Sequence, residues 1–227
     1  MKNKVIWITG GTSGIGKATA EIFAKKNFNV IVTSRTNTKF SAKDSLIEYL
    51  TLDVKENLDV EKVVKKISSK GEIDCLINNA GIATFNSVAE TSINEIENII
   101  NTNLLGAIYS IKAVLPQMIE KKRGTIINII SVVAKKIFIN SAAYTAAKAG
   151  LEAFTNVLRE ELREHNIRII NIYPGATATS IWHPKVLEKY SNLMMEPKHI
   201  GKLIYDLYKT KFIVPEEITL RSINGDL

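Results

Sequence analysis

The sequence predicts an α/β chain folded as a single-domain Rossmann architecture: a doubly wound, mainly parallel seven-stranded sheet with helices on both faces. Three observations predict it. Short apolar runs alternate with longer segments of helical period, the order that builds a parallel sheet through right-handed crossovers. Several of the short runs are apolar at nearly every position, as strands covered on both faces are. A glycine-rich turn separates the first run from the first helical pattern, at the end of a strand where open α/β sheets hold ligands.

In order along the chain, Val5-Ile6-Trp7-Ile8 is closed by Thr9-Gly10-Gly11 as a turn closes a strand, so a strand is expected at residues 5–9 and a helix at 14–26. A second strand, 30–34, ends on Val32-Thr33-Ser34-Arg35, and a third, 47–52, is followed by Asp53. A helix at 58–69 leads to a fourth strand at 73–78. The helical pattern at 93–122 is long for one globular helix, and Pro116 within it is expected to bend it or start its last turn. A fifth strand at 124–130, a helix at 142–165 and a sixth strand at 168–173 follow. After Pro174 the pattern loosens: residues 177–195 read as irregular, 197–208 as a helix and 217–222 as a last strand.

The chain has 227 residues, 45% apolar and 23% charged, which suits one domain, residues 1–227, with a full core. The first apolar run is too short for a signal peptide. The longest, 125–134, contains Asn128 and Ser131 and falls far short of a membrane span. No membrane partner is expected, and the cytoplasm is the expected location. Cys75 is the one cysteine, set in Ile73-Asp74-Cys75-Leu76-Ile77, which excludes an internal disulfide and an all-cysteine metal site. No cluster of metal-ligand spacing appears, so no metal is expected. The net charge of +7 raises nucleic acid as a partner, but the basic residues are scattered in short clusters such as Lys65-Lys66 and Lys121-Lys122-Arg123, and a solvated surface is their expected role.

Thr9-Gly10-Gly11-Thr12-Ser13-Gly14-Ile15-Gly16 joins the first strand to the first helix. Glycine permits positive φ and close backbone approach. The helix N-terminus beyond it offers free N–H groups and a positive dipole end, which favour a pyrophosphate. The spacing is T-G-x-x-x-G-x-G, carried by Thr9, Gly10, Gly14 and Gly16. With it go Asp53, Asn78-Asn79-Ala80-Gly81 after the fourth strand, Asn103 in the long helix, and Ser131 after the fifth strand. Tyr144-x-x-x-Lys148 and Pro174-Gly175 complete the series. In this order, over nearly the whole chain, these motifs resemble the short-chain dehydrogenase/reductase family in its compact single-domain branch.

The resemblance implies an oxidoreductase that interconverts a carbonyl and a secondary alcohol by hydride transfer with a nicotinamide cofactor. It puts Thr9, Gly10, Thr12, Ser13, Gly14, Ile15 and Gly16 around that cofactor's phosphates. It puts Asp53 and the Val54 backbone on the adenine, Asn79, Ala80 and Gly81 along the adenosine ribose, and Pro174, Gly175, Thr177 and Thr179 at the nicotinamide. An acidic residue at the end of the second strand would bind both ribose hydroxyls of NAD. Ser34 stands there and Arg35 follows it. A guanidinium offers several donors to a 2′-phosphate that a carboxylate would repel, so NADP(H) is expected over NAD(H).

Carbonyl reduction needs a hydride on carbon and a proton on oxygen. Tyr144 and Lys148 are four residues apart, on one helix face. A nearby ammonium stabilises a phenolate, so Lys148 is expected to lower the Tyr144 pKa and to hold the nicotinamide ribose. By the resemblance, Ser131 orients the substrate oxygen and Asn103 holds a water in a proton relay. Residues 176–196 are expected to form a short lid, with Ile181, Trp182, His183, Leu187, Tyr190, Leu193 and Met194, together with Ile137 and Phe138, offering an apolar lining. His183 is expected to serve the loop rather than a substrate, and Lys135-Lys136 to be a solvated pair. The expected partner is a small carbonyl or alcohol, and the expected assembly a homodimer or homotetramer. Rival readings are a non-catalytic NADP-binding sensor or interaction protein, an NAD(H)-dependent dehydrogenase of the same family, and an epimerase or dehydratase on nucleotide sugars. Intact Asn103, Ser131, Tyr144 and Lys148 speak against the sensor. The lack of an added C-terminal substrate region speaks against the sugar enzyme.

Overall fold

The computed structural model describes residues 4–36, 45–210 and 212–225. Strands β1 (Lys4–Thr9), β2 (Asn29–Ser34), β3 (Ile47–Thr51), β4 (Glu72–Asn78), β5 (Gly124–Ile129), β6 (Ile167–Pro174) and β7 (Glu217–Leu220) form one sheet. Its order is β3-β2-β1-β4-β5-β6-β7, and every neighbouring pair is parallel. The strand order reverses between β1 and β4, which opens a crevice at the carboxyl ends of the strands there.

Strand alternation sorts the core into two layers. Val5 and Trp7 of β1 pack with Val60, Ile67, Ile111 and Val114, which belong to α2 (Asn57–Lys70) and α4 (Gly106–Lys121). Ile6 and Ile8 face the other way, onto Ala20 and Phe23 of α1 (Gly14–Lys25) and Ile200 and Ile204 of α7 (Pro197–Lys209). Among the described residues no helix is long and apolar enough to cross a membrane.

Two expectations are corrected. Residues 93–122 are not one helix bent at Pro116. Helix α3 (Ile93–Ile100) passes into a π-helical turn, Asn101–Leu105, before α4, and α4 runs through Pro116 to Lys121. The break sits where Asn103 turns inward: its amide donates to the carbonyls of Ile82 (2.8 Å) and Ile99 (2.9 Å) and accepts from the Ile82 N–H (3.2 Å). Such bulges in a helix commonly mark functional positions. Nor is the stretch after β6 wholly irregular. It holds α6 (Pro184–Tyr190), with a proline in its first turn and the His183 Nδ1 accepting from the Lys185 N–H at 3.3 Å as an N-cap. The helix after β5, α5, spans Ala142–Glu161, and a 3₁₀ turn (Arg163–His165) and left-handed Asn166 follow it.

The layer that holds α4 and α5 contains a polar row. Asn78 Nδ2 donates to Asn128 Oδ1 (2.9 Å), Asn128 Nδ2 to Asn171 Oδ1 (3.0 Å), and Asn171 Nδ2 to Thr155 Oγ1 on α5 (2.9 Å). The three asparagines are register partners on β4, β5 and β6 and are almost wholly buried. Each lies three residues before Gly81, Ser131 or Pro174, so the row ties together the strand ends from which those residues emerge. Asn128→Ala removes the central link, leaves the Asn78 amide N–H buried without its partner and leaves Asn171 Oδ1 only the Thr155 hydroxyl (3.2 Å). Urea unfolding is expected to show a loss of about 2–4 kcal/mol.

Candidate active site

A cavity of about 930 Å³ runs along the carboxyl ends of the strands, from Ser34 and Arg35 after β2 to Pro174 at the end of β6. It crosses the reversal between β1 and β4. Its length follows from the sheet: five strands, β2 to β6, stand about 5 Å apart, which gives about 19 Å end to end.

The phosphate end is built from the turn after β1. Gly10 and Gly14 have φ of 62° and 51°, which favours glycine at both positions. A Cβ on Gly10 would also lie 2.7 Å from the Ala80 Cα, and one on Gly16 would lie 2.4 Å from the Asn79 amide nitrogen. Thr9 Oγ1 accepts from the N–H groups of Asn79 and Ala80 (both 3.1 Å), and Asn79 Nδ2 donates to the carbonyls of Thr9 (3.1 Å) and Gly10 (2.8 Å). Thr9 and Asn79 thus lock the β1 turn to the β4 turn. The N-cap of α1, Ser13, makes no side-chain cap bond, and the first turn carries no acidic residue. The free N–H groups there, beside Gly14 and Ile15 on the cavity wall, favour an anion.

Further along, Ser34 Oγ donates to the Thr36 carbonyl (2.7 Å), and Arg35 is exposed at the cavity rim. Thr102, next to Asn103 in the π-turn, lines the cavity with a buried hydroxyl that has no hydrogen-bond partner. Asp53 does not line the cavity. Its carboxylate accepts from the Lys55 N–H (3.1 Å) and pairs with the Lys55 ammonium (3.7 Å), while its neighbours Leu52 and Val54 are on the wall. Gly14, Gly81, Gly175, Thr177 and Thr179 line the cavity, and Thr9, Gly16 and Asn103 do not. Thr177 is held by its own hydroxyl, which donates to the Gly175 carbonyl at 3.0 Å.

At the far end Ser131, Tyr144 and Lys148 converge, all buried. Ser131 caps the short 3₁₀ turn after β5, its Oγ accepting from the Val133 N–H at 3.3 Å. Burial pushes the Tyr144 phenol up to about 12, against a lowering by its hydrogen bond to Ser131. Burial pushes the Lys148 ammonium down to about 8. Its Nζ donates to the Ile129 carbonyl at 2.7 Å and lies 5.7 Å from the Tyr144 ring centroid. The expectation that Lys148 lowers the Tyr144 pKa is therefore corrected for the protein's own groups. The ammonium is turned to a backbone carbonyl, and desolvation dominates both residues. Both amide hydrogens of Asn103 are taken by the Ile82 and Ile99 carbonyls and its Oδ1 accepts from the Ile82 N–H, and a Cβ on Gly81 would lie 2.6 Å from that Oδ1 and 3.7 Å from Lys148 Nζ. Asn103 thus positions the Gly81–Ile82 segment beside the lysine.

Around Tyr144 the wall is apolar and aromatic. Ile181, Trp182 and Phe138 line it as the sequence suggests, whereas His183, Leu187, Tyr190, Leu193, Met194 and Ile137 do not. Phe85, Val133 and Ile139 also line it, and sequence reading missed them. Phe85 lies in the non-periodic stretch after β4, where no pattern signals its role. Lys135 is off the wall, paired with Glu152 and with Glu217 (2.9 Å). Among the described residues no group of three or more His, Cys, Asp or Glu could hold a metal.

A family model described as short chain dehydrogenase matches residues 4–189. The chain is 32% identical over 239 residues to a sepiapterin reductase of Chlorobaculum tepidum, covering 98% of each chain. It is 30% identical over 233 residues to an uncharacterized oxidoreductase of Staphylococcus saprophyticus, covering 98% of this chain and 99% of that one. A structure of ElxO with NADP bound superposes with a TM-score of 0.88 at 29% identity, covering 99% of both chains.

Proposed function

From the premise that this chain belongs to the short-chain dehydrogenase family of oxidoreductases, we propose that it is an NADP(H)-dependent carbonyl reductase whose proton donor is Tyr144. The observation that carries the proposal is the meeting of Ser131, Tyr144 and Lys148 at one end of a cavity whose other end is an uncapped helix N-terminus and an arginine. The fold relative ElxO holds NADP. The sepiapterin reductase relative is named for a reduction. The glycine cradle, the free N–H groups of α1 and the unpartnered Thr102 hydroxyl all fit a dinucleotide lying along the cavity.

Once bound, the reduced nicotinamide supplies the hydride. The residues of this chain do the rest. Ser131 holds the substrate oxygen, Tyr144 gives it a proton, and Lys148 holds the ribose and stabilises the resulting phenolate until it takes a proton back from solvent. The protein's own groups keep Tyr144 protonated at neutral pH, which suits reduction. Ser131, Tyr144 and Lys148 together favour this reading over the non-catalytic sensor, which has no need for a buried lysine beside a buried tyrosine.

Arg35 supports the phosphorylated cofactor. Its guanidinium offers charge and several donors to a 2′-phosphate from the end of β2, where the neutral Ser34 stands in place of a carboxylate that would repel one. Steady-state kinetics with one ketone and either cofactor tests this. The wild type is expected to prefer NADPH over NADH in kcat/KM by at least about 30-fold, and Arg35→Ala to lose most of that preference, mainly through KM for NADPH. A wild-type preference for NADH refutes the assignment.

A further inference from the structure

Building on the carbonyl-reductase reading, we infer that the site takes a ketone bearing a flat ring and no anionic group, and that Phe85 and Trp182 select the ring. The two rings are stacked, with centroids 5.0 Å apart and planes 8° apart, and Phe85 meets Tyr144 edge to face at 6.3 Å and 70°. The pair therefore stands directly beside the proton donor. Phe85 remains 38% exposed, an apolar ring left open at the mouth of a cavity. Trp182 is fixed rather than loose: its indole N–H donates to the Thr177 carbonyl at 3.1 Å and its backbone N–H to the Thr179 carbonyl at 3.3 Å. Two plates held in this way offer a π-face on which a planar ring stacks while its carbonyl reaches Ser131 and Tyr144.

Charge excludes the other large class of ketones. Among the described residues on the cavity wall, Arg35 and Lys148 are the cationic ones. Lys148 is bonded to the Ile129 carbonyl. Arg35 lies at the end of β2, three strands from β5, about 14 Å across the sheet. Lys135 is held by two glutamates off the wall. The same end of the cavity is lined by Val133, Phe138, Ile139 and Ile181, with Asn140 and Ser180 as neutral polar groups. A carboxylate or phosphate on the far side of the substrate would meet apolar side chains there and no cation on the wall.

The test uses the wild type with NADPH and three ketones: methyl para-acetylbenzoate, para-acetylbenzoate and diacetyl. The first two differ in charge at a point remote from the reacting carbonyl. The ester is expected to exceed the acid in kcat/KM by at least about 10-fold, the scale of partly desolvating an unpaired carboxylate against an apolar wall. Phe85→Leu and Trp182→Leu are each expected to lower the ester-to-diacetyl ratio of kcat/KM by about 10-fold, through KM for the ester, whereas Trp182→Phe restores it. A purely structural role for the pair would lower both substrates alike and leave the ratio unmoved, which overturns the ring selection. Equal turnover of acid and ester overturns the charge rule while leaving the reductase reading intact. Failure of the wild type to reduce any of the three, diacetyl included, refutes the reductase reading itself.

Discussion

Tyr144→Phe is expected to lower kcat for carbonyl reduction by at least about 1,000-fold while the Kd for NADPH moves by less than about threefold. The substitution removes one oxygen from a residue already 92% buried, so the fold loses little. Ser131 Oγ keeps its bond from the Val133 N–H, so the proposed anchor for the substrate oxygen stays in place. What goes is the proton. The pH profile carries the same claim with a definite sign. Burial holds the phenol up to about 12, so the proton is in place at neutrality and is lost only as pH climbs toward that value. Reduction should hold from neutral pH upward and then fall, whereas oxidation of the product alcohol, which needs the phenolate, should rise over the same range. Stopped-flow single turnovers of wild type and variant, with NADPH binding followed by fluorescence, separate the proton step from cofactor binding. A variant that retains a tenth of the rate contradicts the assignment.

Lys148→Met is expected to make the protein more stable and nearly inactive. An ammonium whose pKa is pushed from 10.5 to about 8 by burial costs the folded state about 3 kcal/mol at pH 7. Its bond to the Ile129 carbonyl offsets part of this. A methionine of similar length fills the space without the charge, so urea unfolding at pH 7 should show a gain of about 1–3 kcal/mol. The folded pKa lies below the unfolded one, so the unfolded chain binds more protons between these values. The penalty is full below about pH 8 and fades toward 10.5. The stability gap between variant and wild type should therefore close as pH rises through that window. Turnover should fall at least about 100-fold, with weaker NADPH binding, because the proposed mechanism uses this ammonium both to hold the ribose and to stabilise the phenolate. A variant less stable than the wild type at pH 7 contradicts the burial argument.

The sheet was legible because its strands are buried on both faces and leave continuous apolar runs. Every strand appears within two residues of its expected start, and the all-parallel order follows from the alternation with helices. The π-turn was not legible, since its cause is a bond from Asn103 to Ile82, twenty-one residues away, which no local pattern encodes. The asparagine row had a readable signal. Leu76-Ile77-Asn78, Ile126-Ile127-Asn128 and Ile169-Ile170-Asn171 repeat one ending on three strands, and parallel register brings those endings side by side. In the site, the residues fixed by backbone conformation were the most readable: Gly10 and Gly14 sit at positive φ where their spacing says they should. Thr9, Gly16, Asp53 and Asn103 show the limit of motif reading, because they shape the cavity from off its wall. The stretch after β6 was the least readable part. Its short helix starts on Pro184 and the His183 cap, while the wall-forming Phe85 comes from another loop altogether.

The central claim is hydride transfer to a carbonyl from the phosphorylated nicotinamide. Incubating the protein with methyl para-acetylbenzoate and NADPH deuterated at the transferring position, then weighing the product by mass spectrometry, tests it directly. The account predicts the secondary alcohol with one deuterium on its carbinol carbon, formed by the wild type and not by Tyr144→Phe. Alcohol without deuterium, or the same yield from Tyr144→Phe, would contradict it.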